Sequence, residues 1–282
     1  MRRFLRRLPL SIPLVLALSV WLPVAMIAGG SFMGAQEVVE SLAPVLSGES
    51  GLASWHLLPV YPTLRPYVEL LLDSPQFFVM FWNSVKVVVF ILIGQILFGA
   101  PAAWGFSRSR GKFSGALFTI YVVLMLMPFQ VTMVSSYLVL DKTRLLDTHW
   151  ALILPAMFST FPVFIMYRFF CGISEGILEA AMLDGAGELR VFLSMGMPLG
   201  APGIMSAVVL GFLEYWNMIE QPLTFLRDKT LWPMSMFLPN IVADKVGLAL
   251  AASVVTLLPA ILVFLLGQKY LEAGIKAAGL KE

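Results

Sequence analysis

Long apolar runs separated by short polar clusters set the pattern of this chain, and six of them reach the roughly 20 residues that a helix needs to cross a bilayer. They predict spans at about 10–29, 77–104, 114–137, 149–170, 201–222 and 246–267. The fold class is all-α, a polytopic membrane protein, and an even number of crossings leaves both termini on one side. Between the first two spans, residues 31–76 are rich in Pro and Gly and carry Trp55, Tyr61 and Tyr67, which predicts a compact cap. Residues 171–200 form a long connection, and the tail 268–282 alternates Lys and Glu. No linker or second soluble domain interrupts the pattern, so residues 1–282 are read as one transmembrane domain.

Composition sharpens this picture. The 282 residues are 59% hydrophobic and 13% charged, whereas a soluble domain keeps about a quarter of its residues charged. Basic residues flanking a span resist translocation. Arg2, Arg3, Arg6 and Arg7, and the cluster Arg108, Arg110 and Lys112, therefore belong on the cytoplasmic side. Residues 31–76 hold Glu37, Glu40, Glu49, Glu69 and Asp73 against Arg65 and belong outside. Both termini are then cytoplasmic. The start also resembles a signal peptide, but its apolar run is long for one.

A net charge of +2, without basic runs interleaved with aromatics, gives no nucleic-acid footprint. Cys171, His56 and His149 are too few and too scattered for a zinc site, and Cys171 is expected to be a small buried packing residue. No phosphate-cradling Gly-rich loop and no nucleophile with its base occurs, so the chain is expected to be non-catalytic and to bind no cofactor.

Polar residues inside spans are functional candidates. Gln130, Glu214, Asn217 and Glu220 are the candidates here for a solute pathway, the alternative being hydrogen bonds between helices. Lys86 lies near one end of its span, where its stem can snorkel. Pro101, Pro128, Pro155 and Pro259 fall in or near spans, where they can kink helices and free carbonyls.

One inner connection breaks the charge rule. In residues 171–200, Glu175, Glu179, Asp184 and Glu188 face only Arg190, so the acidity points to a basic partner. Ser174 is a candidate N-cap and Gly185 a left-handed stop, which predicts a short helix over 175–184. Ile177, Leu178, Ala181 and Met182 make its apolar face, Ala180 and Ala181 allow close approach, and Glu175 and Glu179 stand one turn apart. A second stretch over 187–196 is expected to end before Pro198.

Glu179-Ala180-Ala181, then Gly185, then Met195-Gly196-Met197-Pro198 resembles the EAA loop of type I ABC importer permeases, with Met195 and Met197 standing where that pattern has Ile and Leu. The resemblance implies a coupling helix lodged in a cleft of a separate ATPase. Glu179 would pair with a basic residue there and Gly185 would supply the turn, with Asp184, Met195 and Pro198 completing the loop. Tyr61-Pro62-Thr63-Leu64 with Tyr67, Asn83-Ser84, Phe106-Ser107-Arg108, the run Leu146 to Pro155, and Trp216-Asn217 with Pro222-Leu223 are similar to the carbohydrate branch, specifically the second subunit of the maltose permease. The branch implies a sugar or oligosaccharide importer in the bacterial-type inner membrane, contacting membrane lipid. Its partners would be a second permease subunit, an ABC ATPase dimer that holds ATP and Mg, and an extracytoplasmic solute-binding protein. A permease for polyamines or another small solute, and an ion-driven secondary transporter, are the alternatives. The latter would need inverted repeats, which the sequence does not display.

Overall fold

The computed structural model describes residues 8–46, 56, 58–109, 111–237 and 245–279, with backbone alone at 8–12, 42–46 and 273–279. The cluster Arg2, Arg3, Arg6 and Arg7, together with Glu49, Trp55 and Arg110, lies outside these residues. Among the described residues every regular element is helical. The chain divides into two compact units, residues 1–78 with 237–258 and residues 79–236 with 259–282.

The first unit carries α1 (Leu8–Gly30), α2 (Ala35–Leu46) and α3 (Arg65–Leu72), with the start of α4 (Pro75–Arg108). Leu14, Leu16, Leu18 and Trp21 of α1 are exposed, as suits a helix solvated by acyl chains. Among its described residues the expected cap contains two short helices, α2 and α3, and Met33, Val38, Leu70 and Phe77 of this unit are buried. Its loops are fastened by polar contacts. Ser31 Oγ and Tyr67 Oη share a hydrogen bond of 2.7 Å, Glu37 Oε1 accepts from the Val60 N–H at 2.7 Å, and the Thr63 N–H donates to the Phe32 carbonyl at 2.8 Å.

The second unit contains α5 (Lys112–Met125), α6 (Phe129–Lys142), α7 (Trp150–Met157), α8 (Thr160–Phe170), α9 (Glu175–Leu183), α10 (Glu188–Leu199), α11 (Ala201–Trp216) and α12 (Glu220–Phe225). The last helix, α13 (Val246–Gly279), supplies its second half to this unit. Four helices or helix runs are long and apolar enough to cross a membrane, and two bent pairs bring the number to six when each pair is one crossing.

Both bent pairs change the expected spans. The run 114–137 is not one helix: α5 and α6 meet at 101°. Pro128 keeps Met127 out of the helical region and itself adopts ψ 151°, so one helix stops and the next begins. By itself α5 measures about 21 Å at 1.5 Å per residue, short of the roughly 30 Å hydrocarbon core. The run 201–222 ends early, at Trp216, and is joined to α10 at 67°. Asn217 and Glu220 therefore lie beyond the helix and not inside it.

The second stretch of the long connection does not stop before Pro198 but runs to Leu199. A π-turn over Phe192–Gly196 lies immediately upstream of that proline, and another over Gln95–Gly99 precedes Pro101 in the same way. A proline ring clashes with the carbonyl four residues back, and the wider turn absorbs the clash without ending the helix. Likewise α13 passes through Pro259 and continues to Gly279, so residues 268–279 extend the helix. Hydropathy marks where a helix leaves lipid, and the good helix formers beyond Gly267 carry it further. Cys171 is exposed, not buried, because α8 ends at Phe170 and Cys171 falls in the turn that follows it.

The core of the second unit centres on Trp216, which is stacked on Phe212 at 5.3 Å and met edge-on by Phe81 at 5.9 Å. Breaking the helix after Met157 leaves carbonyls of the last turn without helical donors. Gln95, buried in α4, adds a donor there: its Nε2 donates at 2.9 Å to the Ala156 carbonyl, which also accepts from the Ser159 N–H at 3.1 Å, and to Tyr215 Oη at 3.1 Å.

Candidate functional site: the α9 connection and a polar cleft

Helix α9 begins after Ser174, which occupies the cap position but makes no side-chain cap bond, and carries Glu175 in its first turn. It ends in a complete Schellman turn. Gly185 adopts φ +87°, its N–H donates to the Met182 carbonyl at 3.0 Å, and the Ala186 N–H donates to the Ala181 carbonyl at 3.0 Å. This geometry explains the interval between Ala181 and Gly185, because the left-handed residue follows four positions after the carbonyl that the turn must capture. A Cβ at 185 would meet no neighbour, so the requirement is conformational and not spatial. Gly185→Ala is expected to cost about 1–2 kcal/mol at this turn. Faster amide exchange at Gly185 and Ala186 in the variant checks it, with little change in the global melting temperature.

The apolar residues of α9 divide between two surroundings. Leu178 and Ala181 are buried with Val191, under Trp104, Ile173, Ala186 and Met195. Ile177, Met182 and Leu183 stay exposed, as do Glu179, Ala180 and Asp184. The expected single apolar face is thus split, one part pinning the helix to its own chain and the other left outward. Pro198 is exposed at the end of α10.

Beside α9 lies a cleft of about 530 Å³ lined by Glu175, Glu179, Glu188 and Arg108 together with Trp104 and Met182. The carboxylates outnumber the guanidinium. Arg108 is held over the Trp104 ring at 4.9 Å and donates from Nη2 to the Phe170 carbonyl, which ties the end of α4 to the end of α8. Gly196 makes room for that ring, since a Cβ there would come within 2.8 Å of Trp104 Cζ3.

A second cleft, of about 590 Å³, lies where α5 bends into α6, α7 breaks into α8, and α11 ends. Glu214 lines it with Thr132, Ser136, Ser159, Thr160 and Gln221, and Phe129, Phe158, Phe161 and Tyr215 add aromatic surface. Gln130 and Glu220 stand next to it in sequence but do not line it. Gln130 Nε2 donates to both oxygens of Glu220, at 2.7 and 2.8 Å. Asn217 Nδ2 donates to the Leu213 carbonyl at 2.8 Å and caps its own helix. Of the pathway candidates, the structure puts Glu214 on the cleft, pairs two others and turns the fourth into a cap.

Two of the short sequence signatures converge on the loop 226–234. Asp147, at φ +59°, accepts through Oδ1 from the N–H groups of Arg227 and Asp228 at 2.9 and 2.8 Å. From the other signature, Asn83 Nδ2 donates to the Thr230 carbonyl at 2.7 Å and Ser84 Oγ accepts from the Met234 N–H at 2.7 Å. The Thr230 N–H holds the Asp228 carboxyl below its ordinary range.

Residues 95–277 match the family model for the binding-protein-dependent transport system inner membrane component. The chain belongs to this family. Relatives of this permease include the arabinooligosaccharides transport system permease protein of Halalkalibacterium halodurans, 25% identical over 78% of this chain and 80% of that one. A probable ABC transporter permease protein of Pyrococcus horikoshii is 31% identical over 78% of this chain and 82% of its own. The diacetylchitobiose uptake system permease protein of Streptomyces coelicolor is 32% identical over 69% and 67%. A chain in the crystal structure of a bacterial ABC transporter involved in the import of the acidic polysaccharide alginate superposes with a TM-score of 0.81 at 21% identity, covering 95% of this chain and 96% of that one. That agreement makes the fold the type I ABC importer permease fold.

Sequence reasoning missed three residues of this permease that hold the two clefts in place. Arg108 was legible as an inner basic residue and in the Phe106-Ser107-Arg108 resemblance, but not as the tie between α4 and α8, and Trp104 was legible only as an apolar residue, although it packs on the buried face of α9. Gln95 carried a signal that could have been used, an amide alone in an uncharged run, where an unpartnered polar group is costly.

Proposed function

We propose that this permease subunit imports a sugar or oligosaccharide by alternating access, driven by a separate ATPase dimer that grips α9 from the cytoplasmic side. The observation that carries the reading is α9 itself, a helix fixed to its own chain by one face and finished by a Schellman turn, with Glu179, Ala180 and the exposed Ile177 and Leu183 turned outward. An acidic, partly apolar knob beside a cleft with excess carboxylate suits a basic partner surface. Asp184 strengthens this, because a carboxylate at a helix C-terminus is unfavourable in isolation and gains only from a partner's positive charge. Met195 supports the buried face, and Pro198 leads the chain into α11.

In this arrangement both termini are cytoplasmic, ATP and Mg²⁺ are held by the ATPase, and this chain performs no chemistry of its own. A second permease subunit completes the pathway, and a solute-binding protein delivers solute at the outer face. Carbohydrate is supported by relatives named for arabinooligosaccharide, diacetylchitobiose and polygalacturonan or rhamnogalacturonan transport. The cleft around Glu214 agrees, since hydroxyls, an amide and aromatic faces suit a sugar ring. One carboxylate is too few for a polyamine bearing several ammonium groups.

Purifying the tagged full-length chain from its own membranes in mild detergent tests the proposal. An ATP-hydrolysing subunit and a second permease are expected to accompany it, with ATP turnover rising when sugar-loaded binding protein is added. A chain that comes down with no ATPase overturns it.

A further inference from the structure

The cleft between the α5–α6 bend and the end of α11 carries a sign as well as a shape. Among its described lining residues, Glu214 alone bears a formal charge. Arg227, a cation from the neighbouring loop, is engaged elsewhere, with its Nη2 donating to Tyr137 Oη at 3.0 Å. Its backbone N–H is bound by Asp147. Glu220 adds a further carboxylate just outside the cleft, clasped by the neutral amide of Gln130. No hydrogen bond within the described residues reaches the carboxylate of Glu214, so its oxygens remain available as acceptors.

We infer that Glu214 is a charge-selective residue of the solute pathway, accepting the hydroxyl donors of neutral oligosaccharides and rejecting acidic ones such as uronides. This deepens the import reading proposed above and rests on it. A carboxylate accepts two donors at once, which suits neighbouring hydroxyls on one sugar ring. A uronate brought to the same place meets a like charge, with no cation among the described lining residues to relieve it. Thr132, Ser136, Ser159 and Thr160 then supply neutral hydroxyls that complement a sugar without favouring either sign, and the phenyl rings cover its apolar faces. The selectivity is thereby assigned to one side chain. It also sets this chain apart in solute sign from the alginate importer whose fold it shares, because fold does not carry specificity.

The test uses the intact transporter, co-purified from its own membranes without the binding protein, so that delivery plays no part in the selection. Binding is measured by calorimetry for a neutral arabinooligosaccharide, for diacetylchitobiose, and for a galacturonide of matching length. At least one neutral sugar is expected to bind about tenfold or more tightly than the galacturonide. Glu214→Gln is expected to close that gap by raising galacturonide affinity while weakening the neutral sugar, a paired change that simple misfolding cannot produce. Equal binding of both classes to the unaltered complex, or a gap that survives in Glu214→Gln, overturns the inference and leaves the import reading standing. A complex that binds none of these sugars, and whose ATP turnover no sugar-loaded binding protein raises, overturns both.

Discussion

Glu179→Lys is expected to abolish solute uptake while leaving the partner's basal ATP turnover intact. The side chain is exposed on α9 and touches the cleft already shared by Glu175 and Glu188, so no buried packing is lost and the chain is expected to fold normally. What changes is the sign offered to a partner. Lysine at 179 would bring the cleft's cations, with Arg108, level with its carboxylates, and a basic surface docking there would meet repulsion in place of a pair. Losing one partner of a buried, hydrogen-bonded charge pair at an interface costs about 2–5 kcal/mol, a weakening of roughly 30-fold or more. The measurement is uptake and ATP hydrolysis recorded together in vesicles holding the whole complex, with Glu179→Gln as the milder control. Uptake at the unaltered level in the lysine variant would remove the coupling role from this helix.

The same helix shows what a sequence can disclose and what it cannot. Gly185 was legible because an αL residue four positions beyond a helical carbonyl is a local requirement, written into the backbone of a few neighbouring residues. The number and place of the apolar runs were legible for a similar reason, since lipid imposes length and composition on each span separately. Whether a run is one straight helix was not. Pro128 sits at a 101° bend, Pro101 and Pro198 are absorbed by π-turns, and Pro259 passes within α13, so four prolines of one chemical type have three outcomes. What decides among them is tertiary packing, which no window of sequence contains.

Charge in the spans taught a related lesson. Glu214, Gln130, Asn217 and Glu220 look alike along the chain as polar residues in apolar surroundings. Their surroundings in space separate them: one faces a cleft, two hold each other, and one caps a helix end. The buried amide of Gln95, holding a carbonyl of the broken α7, could not be assigned a partner until that break was seen. The sequence reading of α9 erred in a parallel way by uniting Ile177, Leu178, Ala181 and Met182. Helical period alone says which residues share a side, but not which of them the rest of the chain covers.

Gly203→Ala is expected to destabilise this permease by about 2 kcal/mol, a large effect for a single methyl group. Helix α8 packs against α11, and in lipid such contacts are held by close backbone approach and not by expulsion of water. At Gly203 an added Cβ would lie 2.5 Å from Phe169 Cγ and 2.6 Å from its Cβ. A ring fixed that near its own backbone cannot rotate away as the tip of a long side chain could. The helices must therefore part, and because α9 emerges from the end of α8, the coupling helix would shift with them. The thermal midpoint of the detergent-solubilised complex should fall, and Phe169→Ala placed on the Gly203→Ala background should restore part of the loss. Interacting neighbours depart from additivity in that sense. If the double variant lost the full sum of the two single losses, the clash would not be the cause and the seam between α8 and α11 would have to be tolerant of a wider separation.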